Sequence, residues 1–204
     1  MTIRFALAAL ALIALPVPAL AQAQPAVAPV AAPAPKDDLV KVALDTSAGR
    51  IVLALDRGRA PLTVANFLAY VDSKKLDGES FYRAMPYGDG GLIQGGITSD
   101  ARKLRPPVAF ESTTATGLSN TAGTIAMAAP APGQAQADFF IMTTDITAFD
   151  GPNGFAAFGR VVEGMDVVKK ILAAPVSPTA GEGAMKGQML EPRVTITKAA
   201  RLAP

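Results

Sequence analysis

The residues with chemical reach in this chain lie between Ser80 and Gly96, in the stretch SFYRAMPYGDGGLIQGG. Arg83 stands alone among apolar neighbours. A loop of Pro86, Gly88, Gly90 and Gly91 follows, and then Leu92-Ile93-Gln94-Gly95-Gly96. A guanidinium flanked by aromatics, with an amide side chain and paired glycines nearby, can present a charged fork to a shallow pocket. The same pattern also suits an ordinary barrel corner, and the stretch alone does not choose between them. Composition removes other chemistry. The chain has no cysteine and no histidine, so a disulfide framework, a Cys or His zinc site, a thiol nucleophile and a Ser-His relay are all excluded. Acid–base or metal chemistry would have to rest on carboxylates, lysine or tyrosine.

Weaker patterns resolve against function. No Gly-Lys-Ser/Thr follows the glycines of GDGG and QGG, and the nearest Lys-Gly pair, Lys186-Gly187, is far downstream, so no Walker loop is present. Asp145, Asp150 and Asn153 resemble a fragment of a calcium loop but lack its terminal glutamate and spacing, which leaves a solvated turn. The formal charge of +2, with no basic stripe interleaved with aromatics, speaks against nucleic acid as a partner.

The elements that must position Arg83 can be read from periodicity. Leu39 to Leu44 and Arg50 to Asp56 are β-type runs joined through Gly49, each with one face expected to be buried. Pro61 opens a helical pattern in which Val64, Phe67, Leu68 and Val71 recur at the 3.6-residue period. Val108 to Glu111 is at most a short strand, and Gly117 to Ala122 reads as a turn. Gly123 to Ala128 and Asp138 to Thr143 read as strands separated by the loop of residues 129 to 137. Alternation turns Phe139 and Phe140 to opposite faces of their strand. A strand is predicted over Phe155 to Val161, a second helix over Gly164 to Leu172, a loop over Val176 to Gln188, and a closing strand over Leu190 to Lys198. Many short strands with only two helices favour a closed antiparallel barrel in a single domain.

Ahead of that domain, Arg4, the apolar run Phe5 to Leu15 and Ala19-Leu20-Ala21 have the form of a cleaved signal peptide over residues 1–21. The run is too short to span a bilayer, so stable membrane insertion is not expected. Residues 22–37 are rich in Ala and Pro and read as an extended linker to a domain over residues 38–204. A periplasmic location follows as an expectation.

Three segments in order resemble the cyclophilin family of peptidyl-prolyl cis-trans isomerases. They are Phe81-Tyr82-Arg83 with Leu92-Ile93-Gln94-Gly95-Gly96; Gly123-Thr124-Ile125-Ala126-Met127-Ala128 leading to Asp138-Phe139-Phe140-Ile141; and Phe155-Ala156-Ala157-Phe158-Gly159-Arg160-Val161. The opening hairpin, the ANF-containing helix and the GMDVV helix agree in order as well. The resemblance implies an all-β-dominated fold, a closed eight-stranded antiparallel barrel capped by two α-helices, with a proline pocket on the outer face. It implies an isomerase that needs no cofactor or metal and acts on X-Pro bonds of unfolded or partly folded proteins; the expected signal peptide makes these exported proteins, and a monomer is expected. A proline-binding chaperone module with little turnover is the alternative.

By the same resemblance Arg83 falls on the catalytic arginine and Gln94 on the glutamine that orients it. Leu92, Phe140 and Phe149 fall on the lining of the proline pocket, and Ala128 on a small residue beside the substrate backbone. Departures accompany these matches. Ala129 stands where asparagine is common, Asp138 where glutamine is usual and Phe155 where histidine is frequent. Gly91 and Ala148 replace aromatic walls, which predicts a wider pocket. Asp138 is expected either to pair with Arg83 and blunt its charge, or to sit in solvent and favour basic substrates.

Overall fold

The computed structural model describes residues 38–203, so the expected signal peptide and the linker lie outside the described residues. Strands β1 (Leu39–Thr46) and β2 (Gly49–Asp56) form the opening hairpin across Ser47 and Ala48. Gly49 has φ +138°, and a Cβ there would press against Val167 of a later helix at 2.8 Å. Glycine is therefore required both by the turn and by the close approach. Both strands run two residues or one residue further into the turn than periodicity predicts. β2 departs from the one-face expectation, because Ile51 to Asp56 are buried without interruption. Its inner face fills the barrel, and Val52 and Ala54 on its outer face are covered as well.

Helix α1 (Pro61–Asp72) begins at its proline, whose missing N–H belongs to the unsatisfied first turn anyway. The remaining donors of that turn are met from a distance. Glu111 accepts from Leu62 N (3.1 Å), Thr63 N (2.8 Å) and the Thr63 hydroxyl (2.7 Å). Phe67 enters the barrel and packs edge-on against Phe139 with centroids 5.3 Å apart.

The remaining elements are β3 (Ser80–Tyr87), β4 (Gly90–Gly96), a one-turn helix α2 (Thr113–Thr116), β5 (Thr124–Met127), β6 (Phe139–Met142), β7 (Ala157–Glu163), α3 (Met165–Leu172), β8 (Val176–Ser177) and β9 (Met189–Arg201). Ladder order is β1-β2-β7-β5-β6-β4-β3-β9, and β1 pairs with β9 to close eight antiparallel strands into a barrel. Among the described residues β8 pairs with β9 alone.

The connecting segments take the following form. Val108 to Glu111 forms no strand beyond one bridge from Val108 to Ala135. The expected turn after Gly117 follows α2, which Ser112 caps through Ala115 N and Gly117 ends at φ +69°. The strand predicted from Phe155 begins at Ala157, and the loop predicted from Val176 contains β8. Among the described residues no helix is long and apolar enough to cross a membrane.

Alternation along β5 and β6 divides the apolar residues between two clusters. Phe67, Phe81, Ile93, Ile125, Phe139 and Phe158 belong to the barrel interior. Leu92, Ala126, Phe140, Met142 and Ile146 form a second cluster on the outer surface, joined by Met85, Ala128, Phe149 and Phe155. Ala126 stands opposite Phe140 in the β5–β6 register, and its small side chain leaves the ring room to lie over the sheet.

Candidate active site

Arg83 and Gln94 are cross-strand partners on β3 and β4, which explains why an arginine and a glutamine separated by a loop in sequence meet in space. The β3 ladder is irregular between Phe81 and Arg83, toward both β4 and β9. Phe81 and Ala84 both face the core, so the two residues between them share the outer side. This bulge lets Tyr82 and Arg83 reach the same glutamine, where strict alternation would have sent one of them inward.

The guanidinium of Arg83 is held by two neutral amide oxygens. Nη1 donates to Gln94 Oε1 and Nε donates to Gln188 Oε1, each at 2.9 Å. Among the described residues Nη2 has no hydrogen-bond acceptor. Burial lowers the Arg83 pKa, but an arginine remains cationic at neutral pH.

Behind Gln94, its Nε2 donates to the Tyr82 hydroxyl oxygen at 2.6 Å, and that hydroxyl donates to Asp138 Oδ2 at 2.6 Å. Asp138 therefore follows neither expected course. It takes the Tyr82 hydroxyl, is half-buried, and makes no ion pair with Arg83 among the described residues. Burial raises the Asp138 pKa, the Tyr82 bond lowers it, Glu79 raises it, and the net direction is upward. Burial and the Asp138 carboxylate push the Tyr82 phenol well up, so it keeps its proton.

A cavity of about 460 Å³ opens beside the arginine and is lined by all nine residues expected to catalyse or to bind substrate. Arg83, Gln94 and Asp138 form its polar side. Leu92, Phe140, Phe149 and Phe155 give it apolar surface, and Ala128 and Ala129 add small side chains to the lining. The three rings pack on one another. Phe140 meets Phe155 edge-on at 5.1 Å and Phe149 at 5.7 Å, while Phe149 and Phe155 are 4.8 Å apart. The Ala128 amide is taken by the Asp138 carbonyl at 2.8 Å, which ties this part of the lining to the start of β6.

Phe149 and Phe155 stand on a loop, and a buried amide fixes it. Asn120 Nδ2 donates to the carbonyls of Phe149 (3.0 Å) and Phe155 (3.3 Å) and to Asp150 Oδ1 (2.8 Å). Asp150 also accepts from the Ser119 hydroxyl and Asn120 N. Burial alone would raise the Asp150 pKa, but the bonds from Ser119, Asn120 and Thr113 hold it below the usual carboxylate value.

Neither Gly91 nor Ala148 borders the cavity. Gly91 is buried in the β3–β4 ladder at φ +153°, and a Cβ there would collide with the Met85 carbonyl. Ala148 is exposed in a short 3₁₀ turn. Met85, Pro130 and Met185 line the cavity instead. Sequence reasoning missed Met85, Tyr82, Gln188 and Asn120 as contributors. One signal was available for Tyr82: two apolar core positions, Phe81 and Ala84, flank two residues where alternation allows one.

A closed eight-stranded barrel with an arginine at the rim of an outer apolar pocket defines the cyclophilin class. A family model described as cyclophilin type peptidyl-prolyl cis-trans isomerase/CLD matches residues 40–200. The chain belongs to this family. It is 42% identical over 137 residues to peptidyl-prolyl cis-trans isomerase A of Dickeya dadantii, covering 64% of this chain and 70% of that one. It is 41% identical over 147 residues to peptidyl-prolyl cis-trans isomerase cyp18 of Streptomyces antibioticus, covering 69% and 87%. A crystal structure of a Cryptosporidium parvum cyclophilin type peptidyl-prolyl cis-trans isomerase superposes with a TM-score of 0.68 at 19% identity. The match covers 82% of this chain and 99% of that chain, and it shows the shared fold.

Proposed function

We propose that this protein isomerises X-Pro bonds in unfolded or partly folded exported polypeptides, acting as a monomer in the periplasm and without a cofactor. The observation that carries the reading is Arg83, a cation pinned by two neutral amides at the edge of an apolar pocket. The X-Pro bond resists rotation because resonance gives its C–N bond partial double-bond character, with a barrier of about 18–20 kcal/mol and interconversion over tens to hundreds of seconds. Reaching milliseconds requires about 10⁵-fold acceleration, or about 7 kcal/mol. No nucleophile or metal is needed for that.

At the twisted transition state resonance is lost and the prolyl nitrogen becomes pyramidal, with a usable lone pair. In this reading a free guanidinium N–H donates to that lone pair or to the carbonyl oxygen. The interaction strengthens only as the bond twists, which is the condition for raising the rate. Phe140, Phe149 and Leu92 grip the ring. Their apolar surface also disfavours the planar amide, which is more dipolar than the twisted one. Gln94 and Gln188 hold the guanidinium so that little reorganisation accompanies the reaction. Ala128 and Ala129 offer a small-residue edge along which the substrate backbone can lie. The related C. parvum protein has been crystallised in the presence of the dipeptide Ala-Pro, a ligand class this pocket suits. The export assignment is supported by the form of residues 1–21.

An Arg83→Ala variant in a protease-coupled prolyl-peptide assay tests the reading. Loss of at least about a hundredfold in kcat/KM is expected for an electrostatic donor. Unchanged isomerisation sinks the arginine mechanism. An inactive wild-type protein that still binds proline peptides establishes the chaperone module instead.

A further inference from the structure

Asp138, Tyr82, Gln94 and Arg83 form one unbranched series of hydrogen bonds from the side of the cavity to its rim. The two ends of this series are one-sided in their chemistry. A guanidinium carries donors only, and an unprotonated carboxylate oxygen only accepts. The two groups between are two-sided: a phenol donates or accepts, and a carboxamide can turn either its oxygen or its NH₂ toward a neighbour. We infer that Asp138 is a positioning residue that sets the direction of this series and thereby holds the Gln94 carbonyl against Arg83. The inference rests on the proposed role of Arg83 and deepens it.

The direction follows step by step. Tyr82 donates its single proton to Asp138 Oδ2 at 2.6 Å, so its oxygen is left to accept. Gln94 Nε2 supplies that donor at 2.6 Å. With the NH₂ engaged there, Oε1 faces Arg83 Nη1 at 2.9 Å. Were Tyr82 to donate to Gln94, the amide would turn its NH₂ against a guanidinium that has nothing to accept with, and Arg83 would lose this support.

The surroundings are built around the carboxylate. Gly96 has φ +149°, and a Cβ there would run into Asp138 Oδ1, so the missing side chain makes the space Asp138 occupies. Arg193 lies over the Tyr82 ring, its guanidinium carbon 5.9 Å from the ring centroid. An amide at position 138, the usual residue by the family resemblance, offers Tyr82 a donor as well as an acceptor and leaves the direction open. Asp138 also borders the cavity. Direct attraction of a basic substrate is therefore the competing account.

The test uses Asp138→Asn and Tyr82→Phe, singly and together, in the purified protein, with kcat and KM measured on peptides carrying Lys or Glu before proline. Each single variant is expected to lower kcat about fivefold, the effect of one lost positioning hydrogen bond of about 1 kcal/mol. KM should stay within about twofold, and the loss should be equal for both peptides. The double variant should be no slower than the worse single variant, because both break one series. A readout independent of turnover is the pair of Gln94 side-chain amide signals in ¹H–¹⁵N NMR, identified by their loss in Gln94→Leu. Their separation is expected to collapse in both single variants. Losses that multiply, a KM rise confined to the Lys peptide, or unmoved Gln94 signals overturn the inference. If the wild-type protein shows no isomerase activity, the proposed function fails, and the Gln94 signals alone decide the series.

Discussion

Gln188 accepts the Nε–H of Arg83 across 2.9 Å although 105 residues separate them. The backbone reinforces this contact, since Ala84 N donates to the Gln188 carbonyl at 2.9 Å. The loop before β9 thus closes over β3 and supplies the second of the two oxygens that aim the guanidinium. Its neighbour Met185 lines the same cavity.

Replacing Gln188 by Ala removes one side-chain acceptor and keeps the backbone bond. Loss of one hydrogen bond of about 1 kcal/mol predicts a fall in kcat/KM of about fivefold, with the change in kcat. Steady-state isomerisation kinetics check this. An unchanged kcat would show that Gln94 alone aims Arg83.

Asn120 is fully buried and bonds the carbonyls of both loop phenylalanines. In Asn120→Ala these carbonyls and one Asp150 oxygen lose a donor inside the protein. A loss of about 2–3 kcal/mol in urea unfolding is expected. Because Phe149 and Phe155 are then free to shift, KM for proline peptides should rise as well. A destabilised variant with unaltered KM would separate the loop's folding role from its place in the pocket.

Gly91→Ala tests whether this position is a missing wall or a backbone requirement. The residue sits at φ +153° with the Met85 carbonyl where a Cβ would go. A loss of at least about 2 kcal/mol is expected from strain and displacement, with no gain in peptide affinity. Tighter proline binding at unchanged stability would restore the view that an aromatic wall is simply absent.

Asp138 has a folded-state pKa above its ordinary value of 3.8, chiefly through burial. Between those two values the folded protein binds more protons than the unfolded chain, so stability falls as pH rises through that window. Asp138→Asn removes this cost. Its melting temperature should exceed that of the wild type at pH 8 and approach it near pH 4. The gain in stability would accompany the loss of turnover expected of a positioning residue. Equal melting temperatures at pH 8 would count against the raised pKa.

What the chain's own order determined is the set of features that depend on local geometry. Alternation in Asp138-Phe139-Phe140-Ile141 puts the two rings on opposite faces of the strand, because successive strand residues point to opposite faces. Pro61 and the apolar spacing after it place α1 at its observed start. The motif around Arg83 and Gln94, read with the two later segments, was enough to identify the family and nine of the twelve residues that line the cavity.

Tertiary structure decided the partners. Tyr82 joins Arg83 on one face because a bulge interrupts β3, and periodicity counts residues without knowing where the ladder slips. Asp138 turned from Arg83 to Tyr82, and Gln188 arrived from a distant loop. Gly91 sits in the β3–β4 ladder with the Met85 carbonyl where a Cβ would go. Each of these is a matter of which strands become neighbours and in what register. A side chain's spacing along the chain carries no record of the donor or acceptor that folding will bring within 3 Å of it.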